Sequence, residues 1–272
     1  MLVFIFHSCE KDVILDLLNT QGKYLIVEAN IDNSSVNQMI IRLYRSGSFY
    51  DDEKGFPVSN AIVSISDGNN NYLFTETASS EQQGNYYNRE LGGNMITGNT
   101  YNLTVIDDGK TYTASSTLKP VPDIDSVTTS INFLSQLGII KEVLVDIYIH
   151  FENLPHQGNY YLVNLYINGN IQTFTPNQKT MISDENLENH VSLYIKTVRR
   201  NELKNGDKIT LEMRSISREQ YEFYTDFFSQ TELSGNPFAG APPANIPTNL
   251  SEGARGFFQV SSVATVSKIF NP

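Results

Sequence analysis

The candidates for metal or acid–base chemistry in this sequence are its four histidines and the carboxylates near them. His150 and His156 flank Pro155, and two histidines at a strand end can share a metal ion. His190 follows an acidic stretch containing Asp184, Glu185 and Glu188, whose oxygens are the ligands that calcium prefers. Because no His-Glu-x-x-His motif is present, we favour structural or exposed histidines and a solvated hairpin loop.

Motifs for covalent or cofactor chemistry are absent from the sequence. It has no Gly-x-Ser-x-Gly elbow and no glycine-rich phosphate loop placed between a strand and a helix. The 30 acidic residues supply many carboxylate pairs by chance, so a glycosidase-type pair carries no signal. The run from Asp67 to Asn71 begins like a calcium loop, but Tyr72 and Ala78 occupy positions that require glycine and glutamate. The sequence therefore predicts a hairpin turn there, and no catalytic, cofactor-binding or metal-binding residues.

The single cysteine, Cys9, is the most informative residue. It follows an apolar run, Met1 to Phe6, and the small residue Ser8. The run is too short for a bilayer, which needs about 20 apolar residues, but it fits the end of a secretory signal. This context is similar to the lipobox of bacterial lipoproteins, in which the cysteine becomes the lipidated N-terminus. We therefore expect lipid attachment at Cys9.

This expectation divides the N-terminal region. Residues 1–8 would be a residual signal segment with its true start upstream, and residues 9–22 would be the lipidated cysteine and its tether. The acidic sequence Glu10-Lys11-Asp12 resembles the surface-export signal of Bacteroidota lipoproteins. The alternatives are a buried or free cysteine at an ordinary N-terminus and a plain solvated tether.

Composition and charge limit the class of protein. The chain has 272 residues, 40% of them hydrophobic, which is typical of a globular protein. The net charge of −11 argues against nucleic-acid binding, which requires many cations to neutralise phosphates. A single cysteine excludes an internal disulfide.

Hydrophobic residues mostly alternate along the chain, which predicts strands. Strands at 61–66 and 72–77 flank Asp67-Gly68, and strands at 101–106 and 111–115 flank Asp108-Gly109, two strong hairpin signals. Pro120 and Pro122 then interrupt the pattern, because proline cannot donate a ladder hydrogen bond. We predict a mainly β protein of two consecutive antiparallel β-sandwich-like domains, at 23–119 and 127–272, with a linker at 120–126 and a closing strand near 256–266.

The second domain is predicted to contain one aromatic amphipathic helix, at 217–234. Ser217 and Gln220 fit a capping box, and Gly235 and Pro237 would end the helix. Its aromatic residues are either a ligand platform or, as we favour, the face that contacts the second sheet. A basic cluster precedes it: Lys196, Arg199, Arg200 and Lys204. That cluster is either a contact for an anion or a lipid headgroup, or a solvated strand end.

The C-terminal segment carries a more specific signal. Residues 236–258 contain Asn236-Pro237-Phe238-Ala239, Pro242-Pro243, Asn249 and Gly253-Ala254-Arg255-Gly256-Phe257-Phe258. This segment, together with Cys9-Glu10-Lys11 and several shorter matches, resembles a Bacteroidota lipoprotein family catalogued as a domain of unknown function. We expect Gly253 and Gly256 to allow positive φ or close backbone approach, with Phe257-Phe258 in a core. A binding loop is the alternative.

The resemblance implies a lipoprotein anchored in the outer membrane and exposed at the surface. It implies an Ig-like N-terminal sandwich followed by a β-rich C-terminal domain. The partners implied are the membrane, through Cys9, and an outer-membrane receptor of the TonB-dependent class. A glycan or a peptide is a further candidate ligand of this protein. The leading hypothesis is a non-enzymatic binding or accessory role. An extracellular hydrolase acting on glycans or peptides and a purely adhesive module are the alternatives.

Overall fold

The structure is a computed structural model that describes residues 24–34, 39–47, 55–77, 82–172, 180–233 and 246–271. The predicted signal segment, the tether and Cys9 lie outside the described residues. The described part is mainly β, which confirms the mainly β class that the sequence predicted.

The strands and helices are numbered in chain order. The strands are β1 (Leu25–Asp32), β2 (Met39–Arg45), β3 (Phe56–Pro57), β4 (Ile62–Ser66), β5 (Asn71–Glu76), β6 (Asn85–Asn88), β7 (Thr100–Asp107), β8 (Lys110–Thr117), β9 (Ile124–Ile131), β10 (Leu144–Glu152), β11 (Tyr160–Ile167), β12 (Asn170–Ile171), β13 (Met181–Ser183), β14 (His190–Arg199), β15 (Lys208–Ile216), β16 (Ala254–Ser261) and β17 (Val263–Ile269). The helices are α1 (Phe133–Gln136), α2 (Arg218–Leu233) and a short 3-10 turn at Gly92–Asn94.

Three sheets contain these strands. The first has the order β16-β1-β2-β6-β5-β4-β7-β8, with β3 paired to β2. The second has the order β14-β10-β9, and the third has the order β12-β11-β15-β17 with β13 paired to β11. Strand β9 begins at Ile124, inside the segment 120–126 that the sequence predicted as a linker.

Two hairpins are present at the positions that their turn residues predicted. Strands β4 and β5 pair on either side of Asp67, whose carboxylate accepts hydrogen bonds from the amides of Asn69 (2.9 Å) and Asn70 (2.6 Å). Strands β7 and β8 pair through Asp108-Gly109, and both turn residues have positive φ (49° and 73°). Aspartate and glycine are suited to that backbone, which is why the pair marks a tight hairpin.

Two hydrophobic cores follow from the alternation of side chains along the strands. The first core is built from β1, β2, β4, β7 and β8 together with Phe258 and Val260 of β16. The second core is shared by the second and third sheets, with Val145 and Ile149 from one and Val163 and Leu211 from the other. The predicted burial of Phe257-Phe258 is confirmed, because both side chains are buried.

The end of the chain contributes to both cores, which differs from the single closing strand expected at 256–266. Strand β16 pairs in parallel with β1 in the first sheet, whereas β17 pairs with β15 in the third. One residue, Ser262, separates them. Its amide donates to the Ser215 hydroxyl (2.9 Å), which in turn donates to the carbonyl of Lys119 (2.8 Å). The chain therefore passes through a junction between the two cores at this point.

Helix α2 lies at the same junction and agrees with the predicted helix 217–234. The Ser217 hydroxyl accepts a hydrogen bond from the Gln220 amide (3.1 Å), which is one half of the capping box. The other half is replaced, because the Ser217 amide donates instead to Gln259 Oε1 (3.2 Å). The aromatic face of α2 contacts the first and the third sheets. The ring centroid of Tyr221 lies 5.0 Å from that of Tyr160 on β11, and the ring centroid of Phe223 lies 5.3 Å from that of Phe257 on β16.

Candidate functional site

The candidate site is a groove where β5 and β6 separate on the outer surface of the first sheet. The two strands pair only at Thr75–Tyr87 and Glu76–Tyr86 and then diverge. The groove between them has a volume of about 550 Å³. We call it the splayed-strand groove; it is lined by Asn71, Tyr72, Leu73, Thr75, Glu76, Thr77, Tyr87, Asn88, Arg89 and Glu90.

Asn88 keeps the strands apart at the start of the groove. Its side-chain amide donates to the carbonyl of Leu73 across the gap (2.8 Å), replacing a backbone ladder bond. Its carbonyl oxygen accepts from the amides of Glu90 (2.8 Å) and Leu91 (2.9 Å). Such a side-chain-capped turn competes with a strand, so β6 ends at Asn88 and the chain leaves the sheet.

Glu76 fixes the other end of the groove, where the strands still pair. Its carboxylate accepts hydrogen bonds from the Ser59 hydroxyl (2.7 Å), the Asn60 amide (3.0 Å) and the Gly84 amide (2.8 Å). Burial raises the pKa of Glu76, but these three donors outweigh it and hold the pKa below its ordinary value. The carboxylate is therefore charged and fully engaged, and it acts as a structural acceptor.

The remaining side chains give the groove a mixed surface. Tyr72 is half-buried, and its hydroxyl donates to Asp67 (3.2 Å); burial, followed by the charge of Asp67, raises the pKa of Tyr72. Leu73 is 54% exposed, although it is a large apolar residue. Arg89 and Glu90 are exposed, and within the described residues neither forms an ion pair. Besides the engaged Glu76, the groove thus offers an apolar contact, an aromatic contact and one charge of each sign, from Arg89 and Glu90.

The backbone of β5 adds polar groups to the groove. Over Asn71–Phe74, β5 pairs with β4 on one side, and on the other it faces the gap. The Leu73 carbonyl points into the gap, where Asn88 reaches it. Residues two apart point the same way along a strand, so Asn71 presents its backbone groups to the gap as well. An open strand edge of this kind can pair with an added extended chain.

A second groove, of about 380 Å³, lies at the junction and differs in character. It is lined by Glu28, Asn30, Asp32, Met39, Ile40, Arg42 and Arg214. Its charged groups are already paired, because Arg214 lies 2.9 Å from Asp32 and Arg42 lies 3.7 Å from Glu28. Burial lowers the pKa of Arg214, but the hydrogen bond and charge of Glu212 and the charge of Asp32 outweigh it and raise the pKa. We therefore assign this groove a structural role.

Comparison with known proteins identifies the family. Residues 10–267 match the family described as Domain of unknown function (DUF4249). The chain belongs to the DUF4249 family. This confirms the part of the sequence resemblance that predicted a domain of unknown function. No match was found among curated proteins.

The metal candidates of this DUF4249 chain do not converge in the described residues. There, no three His, Cys, Asp or Glu side chains are close enough to hold a metal ion. His150 Nε2 lies 2.7 Å from the Thr128 hydroxyl, and His190 Nδ1 lies 3.5 Å from Glu152. Each of these two histidines therefore contacts a polar side chain on a neighbouring strand of its own sheet.

Asp184 differs from the solvated loop that the sequence predicted. Its side chain is fully buried and accepts hydrogen bonds from the amides of Gly158 (2.7 Å) and Asn159 (2.8 Å). The Asn159 side chain donates to the second oxygen (2.7 Å). Asp184 therefore ties the start of β11 to the loop after β13, and both of its carboxylate oxygens already accept hydrogen bonds from these donors.

Sequence reasoning missed the splayed-strand groove of the DUF4249 chain. It located the hairpin around Asp67, but not the short pairing between β5 and β6. Asn88 was the available signal, since asparagine near a strand end can cap a turn.

The apolar stretch at Met1 to Phe6 lies outside the described residues. Within the described residues, no helix is long and apolar enough to cross a membrane.

Proposed function

We propose that this DUF4249 chain is a lipid-anchored cell-envelope protein with a non-enzymatic binding or accessory role, and that it holds its ligand in the splayed-strand groove. The observation that carries the binding site is the early separation of β5 from β6, which leaves one edge of β5 facing a groove. Ligand sites combine apolar contacts with a few convergent polar groups. Leu73, Tyr72, Arg89 and Glu90 supply that combination here.

The ligand class we favour is an extended peptide. The edge of β5 offers backbone donors and acceptors that can add a strand, while side-chain pockets read alternate residues. Arg89 and Glu90 would pair with charges of opposite sign on the ligand. A glycan is the second candidate, because Tyr72 and Tyr87 provide rings and Asn71 provides an amide at the same surface.

The lowered pKa of Glu76, a carboxylate of the groove, supports a structural role for it rather than that of a proton donor in hydrolysis. A glycosidase needs a carboxylic acid whose pKa is raised so that it can donate a proton. Hydrogen bonds from neighbouring backbone amides hold the pKa of Asp67 and Glu76 below their ordinary values, in Glu76 against an opposing effect of burial. The pKa of Asp207 is likewise lowered, first by its hydrogen bond from Asn168.

The proposed location and partner rest on the sequence rather than on the groove. The context of Cys9 supports an acylated cysteine, and the resemblance supports a surface-exposed outer-membrane lipoprotein of the Bacteroidota type with an Ig-like first domain. We propose a TonB-dependent nutrient receptor as its neighbour. Stable anchoring needs more than one acyl chain, since a single chain gives only marginal binding.

Leu73→Arg tests the ligand site. The ligand for this test is the best binder selected from a peptide array and a glycan array. We expect the substitution to weaken the binding of that ligand at least tenfold, because a charged side chain would fill the groove. The matched control is Ile62→Arg on β4, where the side chain is 56% exposed, as against 54% for Leu73, and lies outside the groove. Titration calorimetry measures both. Equal affinities for the two variants would contradict the proposed site.

Cys9→Ala tests the anchor in the full-length gene product. We expect the wild-type protein to sediment with the outer membrane and to incorporate a clickable palmitate analogue, and the variant to do neither. If Cys9→Ala leaves both the membrane fraction and the label unchanged, the anchor is wrong. That outcome would leave the groove proposal standing, since the two rest on different residues.

A further inference from the structure

The connection between β9 and β10 exposes an unusual amount of apolar surface. We call residues 131–143 the apolar tip. Its exposed large apolar side chains, between 42% and 66% exposed, are Ile131, Phe133, Leu134, Leu137, Ile139 and Val143. Residues 131–140 contain no charged side chain. Scattered exposed apolar residues are normal, but a contiguous group of this size marks an interaction surface.

The backbone of the apolar tip satisfies its own hydrogen bonds. The Asn132 side chain caps α1 by accepting from the Leu134 amide (3.1 Å), and the Ser135 hydroxyl links the two arms of the tip through the Glu142 carbonyl (2.9 Å) and the Leu144 amide (3.1 Å). Further amides at 136–140 donate to carbonyls of residues 132–135. A segment that leaves few backbone groups dependent on water can enter a medium of low polarity at small cost.

Basic side chains surround the base of the tip. Strand pairing places Arg199 opposite Leu144, and the Arg200 amide donates to the Val143 carbonyl (2.9 Å). Lys141 lies within the tip, and Lys204 lies a few residues after the end of β14; both are exposed. Glu142 and Glu202 both pair with Arg199 (3.1 and 3.5 Å). The buried Asp146 accepts hydrogen bonds from the Asn132 side chain, and Asp207 accepts one from the Lys204 amide (2.7 Å). With Lys196 on β14, this end of the second core carries five cations against four carboxylates, of which Asp146 is buried, on a protein whose net charge is −11.

We propose that the apolar tip is a membrane-docking element for an anionic lipid surface. Phe133, Leu137 and Ile139 would enter the boundary between headgroups and acyl chains, while Lys141 and the basic end of β14 contact the lipid phosphates. An apolar protrusion with cations at its base is complementary to such a surface, since burial of apolar area and attraction to anionic lipids act together. This docking is independent of acylation at Cys9.

The position of the tip is compatible with an anchor at the other end of the molecule. Strand β1 runs from Leu25 towards the junction, which it reaches at Asp32. Strand β17 runs from the junction in the direction of Phe270. The Phe270 ring lies 5.0 Å from the Arg200 guanidinium, at the base of the tip. Residues 254–269, through β16 and β17, span at most about 55 Å. The chain from Cys9 to Lys23 can extend over about 50 Å. Both ends can therefore reach one membrane if the molecule lies along it.

A tryptophan reporter tests the docking, because the natural sequence contains no tryptophan. The full chain carries Cys9→Ser, so that acylation contributes nothing, together with Phe133→Trp. We expect its emission to shift to shorter wavelength with vesicles of phosphatidylglycerol and phosphatidylethanolamine, but not with phosphatidylcholine alone. High salt should reduce the shift, because it screens the cations. In the same background, Ile62→Trp, at an exposed position on β4, should show no shift.

Two further variants separate the contributions. Leu137→Ser with Ile139→Ser should lower partition into the anionic vesicles at least tenfold with no change in thermal unfolding, because both side chains are exposed. Lys141→Glu with Lys204→Glu should weaken partition similarly at low salt and less at high salt. An unchanged emission of Phe133→Trp at saturating anionic lipid would overturn the proposal. So would a shift that grows with protein concentration without vesicles, which would identify a second copy as the occupant.

Discussion

Arg214→Met is expected to lower the free energy of unfolding by about 3–5 kcal/mol, the range for removing one partner of a buried ion pair. Arg214 lies on β15 and contacts Asp32 on β1 (2.9 Å) and Glu212 on its own strand (2.7 Å). Both carboxylates are largely buried, with 7% and 13% of their side chains exposed. Methionine preserves much of the side-chain volume but leaves two buried charges without their partner. Urea denaturation followed by circular dichroism measures the loss.

Arg199→Met is the matched control for this measurement. Arg199 also pairs with two carboxylates, Glu142 and Glu202, but these side chains are mostly exposed. Exposed pairs contribute about 1 kcal/mol or less, so we expect little change in the denaturation midpoint. If Arg214→Met were no more destabilising than Arg199→Met, the buried pair would not hold the two cores together.

Gly256→Ala is expected to destabilise the protein by about 3 kcal/mol or more, because it combines backbone strain with a steric clash. Gly256 has a φ of +97° and lies directly beside Val27 across the parallel β1–β16 pair. A Cβ atom at this position would lie 2.1 Å from the Val27 carbonyl oxygen and 3.0 Å from its carbonyl carbon. Backbone atoms of a central strand cannot move aside, so β16 would separate from β1.

Gly98→Ala isolates the strain from the clash. Gly98 has nearly the same φ, +93°, but a Cβ atom there would meet nothing within 4 Å. We expect a loss of about 1–2 kcal/mol from the backbone conformation alone. Thermal unfolding of the two variants side by side gives the difference. Equal melting temperatures would contradict the close approach of β16 to β1.

The sequence predicted the local parts of this fold because local residues determine them. Asp67-Gly68 and Asp108-Gly109 each specify a hairpin through their backbone preferences, and both hairpins are present. Ser217 caps the predicted helix as expected. Gly256 was expected to have positive φ or a close backbone contact, and it has both.

The pairing of β16 with β1 could not be predicted in the same way. The partners lie at opposite ends of the chain, and no turn residue marks a parallel pair formed over such a distance. Alternating apolar residues at 256–266 indicated a strand but not the sheet it joins. The change of sheet at Ser262 depends on the Ser215 hydroxyl and the Lys119 carbonyl, which the fold alone brings together.

The candidate site could not be predicted from the sequence for a related reason. The splayed-strand groove exists because β5 and β6 pair over two residues and then diverge, and the register between them is not local information. Asn88 could be recognised as a turn residue, but its bond to the Leu73 carbonyl requires the neighbouring strand. The apolar tip is different, since its uncharged run is visible in the sequence and only its exposure needed the structure.

The proposed ligand site is tested most directly by backbone hydrogen exchange, measured with and without the best array ligand. The account predicts slower exchange in peptides covering Asn71–Thr75 and Tyr87–Glu90, because the ligand would occupy the edge of β5 and the opposing turn. Exchange in β7 and β8, on the far side of β4, should not change. Protection confined to other strands, or no protection at saturating ligand, would contradict binding in the splayed-strand groove.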